Sequence, residues 1–186
     1  MDFNVHSRLT GLHAFLSASK YHWTKYDINK LEATFKTARA AQLGTEKHEL
    51  AAMLIKLGQK LPKTKQTLPM YVNDAIGYRM TPEQVLYYSD NAFGTVDAIS
   101  FRNNKLRIHD LKTGVGPTSM RQLEIYTAFF CLEYGHNPAA LEIELRLYQN
   151  DDVDIFVPNP AYIMELMQLI ITFDERIDIM RMEEAG

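Results

Sequence analysis

Apolar residues recur at every second position in two short segments near the middle of the chain: Ile99 and Phe101 in the first, Leu106 and Ile108 in the second. This period of two is typical of strands that pack one face against a core. The link between the segments contains adjacent asparagines at 103–104, which tolerate the positive φ of a two-residue hairpin turn. The pattern therefore predicts a β-hairpin in which paired residue numbers sum to 207.

The same register places Asp97 opposite Asp110 at the end of the apolar face. Directly opposed Cβ atoms lie about 4.5–5.5 Å apart, so two carboxylates there repel each other. A proton held at a raised pKa or a divalent cation between the oxygens would relieve this repulsion. Lys112 shares the face two residues further on, within reach of a substrate. The alternative is a solvated hairpin end that holds a salt bridge.

Helical spacing and capping signals predict the other elements. Asp27 is an N-cap for a helix to about residue 43, which Gly44 and Thr45 break before a second helix begins at about residue 46 and runs to 57. Further along the chain, the patterns predict a short helix at residues 71–77 and a capped helical start at 81–84 that gives way to a strand at 85–88. They then predict a helix at 119–133, a strand at 141–148 and a long amphipathic helix at 160–182. This order predicts one α/β or α+β domain with a small central mixed sheet flanked by helices.

Charge is divided unevenly along the 186 residues, although the net charge is only −3. Residues 1–65 carry eleven Lys/Arg against five Asp/Glu (+6), and residues 66–186 carry nine against eighteen (−9). The basic, helical N-terminal part therefore suits nucleic-acid phosphates, with Tyr21, Trp23 and Tyr26 available for stacking on bases. The alternative is that these charged residues lie on ordinary solvated helix faces.

Composition excludes several classes of cofactor. One cysteine, Cys131, rules out an internal disulfide and a four-cysteine zinc or iron–sulfur site, and its apolar neighbours predict a buried side chain. The phosphate-binding pattern of ATP-driven helicases is absent. No segment has the roughly 20 apolar residues of a membrane span, and no signal pattern begins the chain. We therefore expect a cytoplasmic protein that does not bind or span a membrane.

Four segments in order resemble the PD-(D/E)XK nuclease superfamily, in its RecB-like and phage-exonuclease branch without an iron–sulfur cluster. Residues 94–99 are similar to its Gly-x-x-Asp strand, and residues 110–112 to its Asp/Glu-x-Lys element. Residues 122–126 resemble its Gln-x-x-x-Tyr helix, and residues 44–48 resemble the helix that supplies a metal-binding histidine. The resemblance covers about residues 44–150 and implies a restriction-endonuclease-like core.

The resemblance also implies a set of site residues. Metal ligands would be His48, Asp97, Asp110 and the backbone carbonyl of Leu111, holding one or two Mg²⁺ or Mn²⁺ ions. The catalytic set would be Asp97, Asp110, Lys112, Gln122 and Tyr126, with Lys112 orienting water or stabilising charge on phosphorus. The substrate would meet Lys47, Arg121, Gln122 and Tyr126. His109 is expected to face away from this site, and Glu83 is left outside the set.

The function expected from the resemblance is a metal-dependent deoxyribonuclease, an exonuclease before an endonuclease, in recombination, repair or phage DNA metabolism. A single-strand annealing protein is the expected partner, in the cytoplasm of a bacterial or phage-infected cell, and homo-oligomerisation is left open. The alternative is a catalytically silent nucleic-acid-binding or host-interaction module on the same fold. A small-molecule metallohydrolase is the weaker third hypothesis, because a dense cluster of His and Asp ligands is absent.

Overall fold

The computed structural model describes residues 14–185, so residues 1–13 of the predicted basic part lie outside the described residues. A 3-10 helix at Ala18–Lys25 precedes the four α-helices of the described part. These helices are α1 (Ile28–Leu57), α2 (Thr67–Gly77), α3 (Arg121–Tyr134) and α4 (Pro160–Ala185). The chain divides into two compact units, Met1–Gly44 and Thr45–Gly186. None of the helices within residues 14–185 is long and apolar enough to cross a membrane.

The second unit contains a five-stranded mixed sheet in the order β1-β2-β3-β4-β5. The strands are β1 (Thr81–Ser89), β2 (Ala92–Arg102), β3 (Lys105–Leu111), β4 (Glu142–Gln149) and β5 (Asp152–Phe156). Neighbouring strands are antiparallel except β3 and β4, which are parallel and joined through α3. A parallel pair needs a crossover connection of this kind. The predicted mixed α/β fold class is confirmed.

The predicted hairpin joins β2 to β3. Asn103 and Asn104 have φ of 50° and 63°, the left-handed values that a two-residue turn of this hand requires. Arg102 pairs with Lys105, and the register continues with a constant sum of 207 to the pair Ala98–His109. The turn chemistry is confirmed, and the predicted register is confirmed as far as the pair Ala98–His109, one position before Asp97 and Asp110.

Helices cover both faces of the sheet. On one face, α3 buries Leu123 and Phe130 against Leu106 and Ile108 of β3. On the other face, the C-terminal half of α1 and the length of α2 form a second core with sheet residues, and its buried members include Leu54, Ile55, Tyr71, Val72, Ala98, Leu111 and Tyr148.

Two local predictions are wrong. The helix break at Gly44 and Thr45 does not occur, because α1 runs without interruption from Ile28 to Leu57. One glycine costs a helix only about 1 kcal/mol, which the residues around it offset. The capped helical start at residues 81–84 is instead the beginning of β1, since Thr81 pairs with Ile99 of β2 and pairing within a sheet outweighs local capping signals.

Cys131 is buried in α3, as predicted. Burial raises the pKa of its thiol to about 12, so the thiolate is scarce at neutral pH. The side chain therefore behaves as a small apolar core residue.

We expect Leu123→Ala to lower the free energy of unfolding by about 2–5 kcal/mol, because the side chain is fully buried between α3 and the sheet. Leu169→Ala is the matched control, since Leu169 is 46% exposed on α4. The control should cost less than about 0.5 kcal/mol. Urea denaturation followed by circular dichroism measures both changes, and equal losses would contradict this description of the core.

Candidate active site

The strands β2 and β3 separate one position beyond the pair Ala98–His109, and we call this point the fork. At the fork the backbone N–H of Leu111 donates a hydrogen bond to Asp97 Oδ2 at 2.8 Å. A side-chain carboxylate therefore replaces the backbone carbonyl that would continue the ladder. The next residue pair by register is Asp97 with Asp110, so the predicted juxtaposition of the two acids falls at the fork.

Glu83 adds a third acid to this arrangement. The pairs Pro82–Ala98 and Gln84–Val96 bracket Glu83 and Asp97, so these two residues stand opposite each other in β1 and β2. Glu83 has φ of 51°, a left-handed value in the middle of a strand. Such a backbone redirects the side chain and is uncommon for a non-glycine residue. We call Glu83, Asp97 and Asp110 the acidic row.

Glu83 is a candidate site residue that the sequence pattern does not identify. Its position before an apolar strand was visible, but the pairing of β1 with β2 and the positive φ were not. The register of β1 would have identified it, because a sum of 180 places Glu83 opposite Asp97.

His48 reaches the acidic row from α1. Its Nδ1 lies 3.4 Å from Asp97 Oδ1. One ligand atom each from His48, Glu83 and Asp97 lie within 4.8 Å of one another, close enough to surround a single cation. Imidazole nitrogen together with carboxylate oxygen suits Mn²⁺, and the oxygens also suit Mg²⁺.

Asp110 is only 4% exposed. Lys112 Nζ donates to its Oδ1 at 3.1 Å and lies 3.0 Å from its Oδ2. That second oxygen is buried, and the charge that the structure places beside it is the Lys112 ammonium. A buried carboxylate is costly unless a cation or proton satisfies it, and Lys112 meets part of this requirement. The donor set of His48, Glu83 and Asp97 fits a divalent metal ion, whereas Asp110 is not a member of that group of ligand atoms.

The electrostatics of the metal-free site point the same way. Burial, and then the nearby charge of Asp97, raise the pKa of the Asp110 carboxyl and of the Glu83 carboxyl. The hydrogen bond to Asp97 raises the pKa of the His48 imidazole. Burial is the larger cause of the two raised carboxyl pKa values, and the charge of Asp97 contributes to all three shifts. A bound dication would reverse this balance and favour the ionised carboxylates.

A chain of side-chain hydrogen bonds holds Lys112 beside the row. Lys112 Nζ donates to Gln122 Oε1 at 2.9 Å, and Gln122 Nε2 donates to the Tyr126 hydroxyl at 3.1 Å. Gln122 and Tyr126 are four residues apart on α3 and share one helical face. The structure therefore brings Lys112, Gln122 and Tyr126 together, and Gln122 contacts the lysine directly.

Gly94 leaves room for this chain of contacts. A Cβ atom placed on Gly94 would lie 2.8 Å from Tyr126 Cε1, closer than real Cβ contacts come. Any larger residue at position 94 would therefore push the Tyr126 ring away from Gln122. This steric requirement explains the glycine that precedes Asp97 by three residues.

The backbone of Leu111 also faces the fork. Its N–H donates to Asp97, whereas the N–H of Lys112 donates to the Tyr148 carbonyl of β4. In an extended strand the N–H and C=O of one residue point to the same side. The Leu111 carbonyl is consequently directed toward the Asp97 side of β3, where the predicted ligand would be needed.

The two other predicted substrate contacts lie at the edges of the site. Lys47 and Lys112 line a cleft of about 400 Å³ together with the start of α2. The Arg121 guanidinium instead lies over the Tyr162 ring of α4, 5.6 Å from its centroid. Lys47 thus opens onto the same cleft as Lys112, and Arg121 is directed toward α4.

His109 packs on the opposite face, as predicted. It is fully buried, and its Nδ1 lies 3.3 Å from the Tyr148 hydroxyl, which donates to Asp74 at 2.7 Å. Burial lowers the pKa of the imidazole to about 3, so the ring is neutral near pH 7. His109 is therefore a packing residue behind the acidic row.

Comparisons with models of protein families, with curated proteins and with solved structures give no significant match to this chain.

The two histidines near Asp110, His48 and His109, should differ in pKa. In metal-free protein followed by NMR, we expect His48 to titrate above its ordinary pKa of 6.5, because Asp97 stabilises the protonated ring. Asp97→Asn should lower that midpoint by removing the charge. His109 should stay neutral from pH 5 to pH 8, with its pKa of about 3. Protonation of His109 in that range would contradict its burial.

Proposed function

We propose that this chain is a metal-dependent nuclease that hydrolyses phosphodiester bonds in DNA. The observation that supports this most is the combination at the fork: three carboxylates and an imidazole close to a lysine that is bound by Asp110. An acidic group of this kind attracts a hard divalent cation, and the lysine supplies a fixed positive charge for an anionic substrate.

Each side chain has a definite task in this proposal. His48 and the acidic row hold Mg²⁺ or Mn²⁺, which supplies Lewis-acid chemistry and lowers the pKa of bound water. Lys112, fixed by Asp110 and Gln122, orients the attacking water or stabilises the charge that develops on phosphorus. Tyr126 supports Gln122 and contacts the substrate backbone.

DNA and an exonuclease role rest on the resemblance and on charge. The excess of six positive charges in residues 1–65 suits a polyanion, and the row alone would repel one. The resemblance favours action on DNA ends in recombination, repair or phage DNA metabolism in the cytoplasm, beside a single-strand annealing protein. A silent DNA-binding module is the alternative, and the contact of Lys112 with the buried Asp110 carboxylate argues for retained chemistry.

A nuclease assay tests the proposal directly. With Mg²⁺ or Mn²⁺, the wild-type protein should degrade linear DNA labelled at either end and leave a covalently closed circle intact. Asp110→Asn and Lys112→Ala should each reduce the rate by at least about a hundredfold, because each removes charge at the reacting phosphate.

The controls match each change in charge. Asp154→Asn alters an exposed acid on β5, and Arg181→Ala removes an exposed positive charge on α4, so both should cleave like wild type. Cleavage that persists in folded Asp110→Asn and Lys112→Ala proteins would place the activity elsewhere. Salt-sensitive binding without cleavage in any divalent metal would support the silent module instead.

Metal binding provides an independent test of Glu83. Titration with Mn²⁺, followed by the loss of the free-ion EPR signal, should show at least about tenfold weaker binding in Glu83→Gln and in His48→Gln. Asp154→Asn should bind Mn²⁺ like wild type. Unchanged binding in Glu83→Gln would remove Glu83 from the ligand set while leaving the other acids.

A further inference from the structure

Two openings flank the acidic row, and their linings differ in chemistry. At the Asp110 end lies the cleft already described, which we call the cationic cleft because Lys47 and Lys112 line it. Thr67, Thr113 and Asn150 add polar groups to its walls, Leu68 and Pro69 add apolar ones, and Asp151 is the acid of the lining. The lysines and these polar groups suit a sugar–phosphate backbone.

At the Glu83 end lies a groove of about 640 Å³ along one face of α1, which we call the apolar groove. Ala52, Met53 and Leu57 form an apolar wall, and Met53 is 49% exposed. Lys56 lines the same groove, and His48 and Glu83 are at the end that meets the row. An apolar wall beside a single cation suits a planar base attached to a phosphate.

The row connects the two openings. Glu83 lines the apolar groove, and Leu111 and Lys112, which follow Asp110, line the cationic cleft. Three adjacent strands separate these ends by roughly 10 Å, two spacings of a β-sheet. On α1, neighbouring residues serve different openings, since Lys47 lines the cleft and His48 faces the row and groove. A ligand bound at the row therefore continues into an opening on each side.

We propose that an unpaired DNA strand crosses the acidic row, with one nucleotide in the cationic cleft and its neighbour in the apolar groove. The unpaired base lies on Met53, and Lys56 binds the phosphate that follows it. This inference rests on the proposed nuclease function and deepens it by naming the form of substrate. Lys56 is a substrate-positioning residue in this arrangement and contributes nothing to the metal site.

The size of the openings favours a single strand over a duplex. Each opening has the volume of a small-molecule site, within the range of about 300–1,000 Å³. One nucleotide fits such a space, whereas a base pair brings a second base and a second backbone with it. The apolar wall can contact the face of a base only when that base is unstacked from its neighbour in the DNA, because stacking on protein replaces stacking on DNA.

Binding, separated from cleavage, tests the proposal. In an Asp110→Asn background with Mg²⁺, fluorescence anisotropy compares a labelled single-stranded oligonucleotide with the same sequence as a blunt duplex. Lys56→Ala should weaken single-strand binding about fivefold and reduce the salt dependence of log Kd by about 0.7. Arg181→Ala removes an equal charge from an exposed position on α4, outside the lining of the groove, and should change neither quantity.

A fluorescent base reports on the groove itself. With 2-aminopurine at the terminal nucleotide, Met53→Ala should reduce the fluorescence change on binding, whereas Met164→Ala, at a 43% exposed methionine of α4, should not. Equal effects of the Lys56 and Arg181 variants, or duplex binding as tight and as dependent on Lys56 as single-strand binding, would overturn the strand path. If either result is found in a protein that still cleaves DNA with a divalent metal, the strand path is wrong and the nuclease proposal stands. Binding that depends on Lys56 without cleavage in any metal would overturn the nuclease and keep the strand site.

Discussion

The two-residue turn at Asn103 and Asn104 determines which residues of β2 and β3 face each other, and the candidate site depends on that register. Their left-handed φ values close the hairpin without an extra residue. Insertion of one residue without a compensating bulge would transfer Asp97 or Asp110 to the other face of the sheet. His109 shows the result of such a shift, because it is adjacent to Asp110 yet lies in the core on the opposite face.

The repulsion created by this register is balanced only in part by the protein. Lys112 contacts Asp110, the Leu111 N–H contacts Asp97, and His48 approaches Asp97 from α1. These partners leave one buried oxygen of Asp110 without a hydrogen bond, and the pKa values of Glu83 and Asp110 remain raised. A structure that only needed stability would replace such acids by apolar residues. Retaining them is the arrangement expected of a site that binds a cation.

Features that depend on neighbouring residues alone could be predicted from the sequence. Asparagine chemistry predicts the turn, period-two burial predicts the face, and the spacing of Gln122 and Tyr126 predicts their common helical side. Glu83 was missed because its contribution depends on the pairing of β1 with β2 and on a left-handed backbone. The continuity of α1 through Gly44 was missed because a glycine is a weak helix breaker, and β5 was not predicted because the five-residue edge strand has little periodicity of its own.

The contacts of α3 explain why the lysine of the fork is better defined than a surface lysine. An exposed ammonium on a flexible stem loses side-chain entropy when it is fixed, so a pair with one carboxylate contributes little. Lys112 has a carboxylate on one side and Gln122 on the other, and Gln122 is held by Tyr126. Tyr126 in turn requires Gly94 on β2, three residues before Asp97. Asp97 and Lys112 are thus positioned by the same two elements, β2 and α3, so a displacement of α3 would alter the positions of both side chains together.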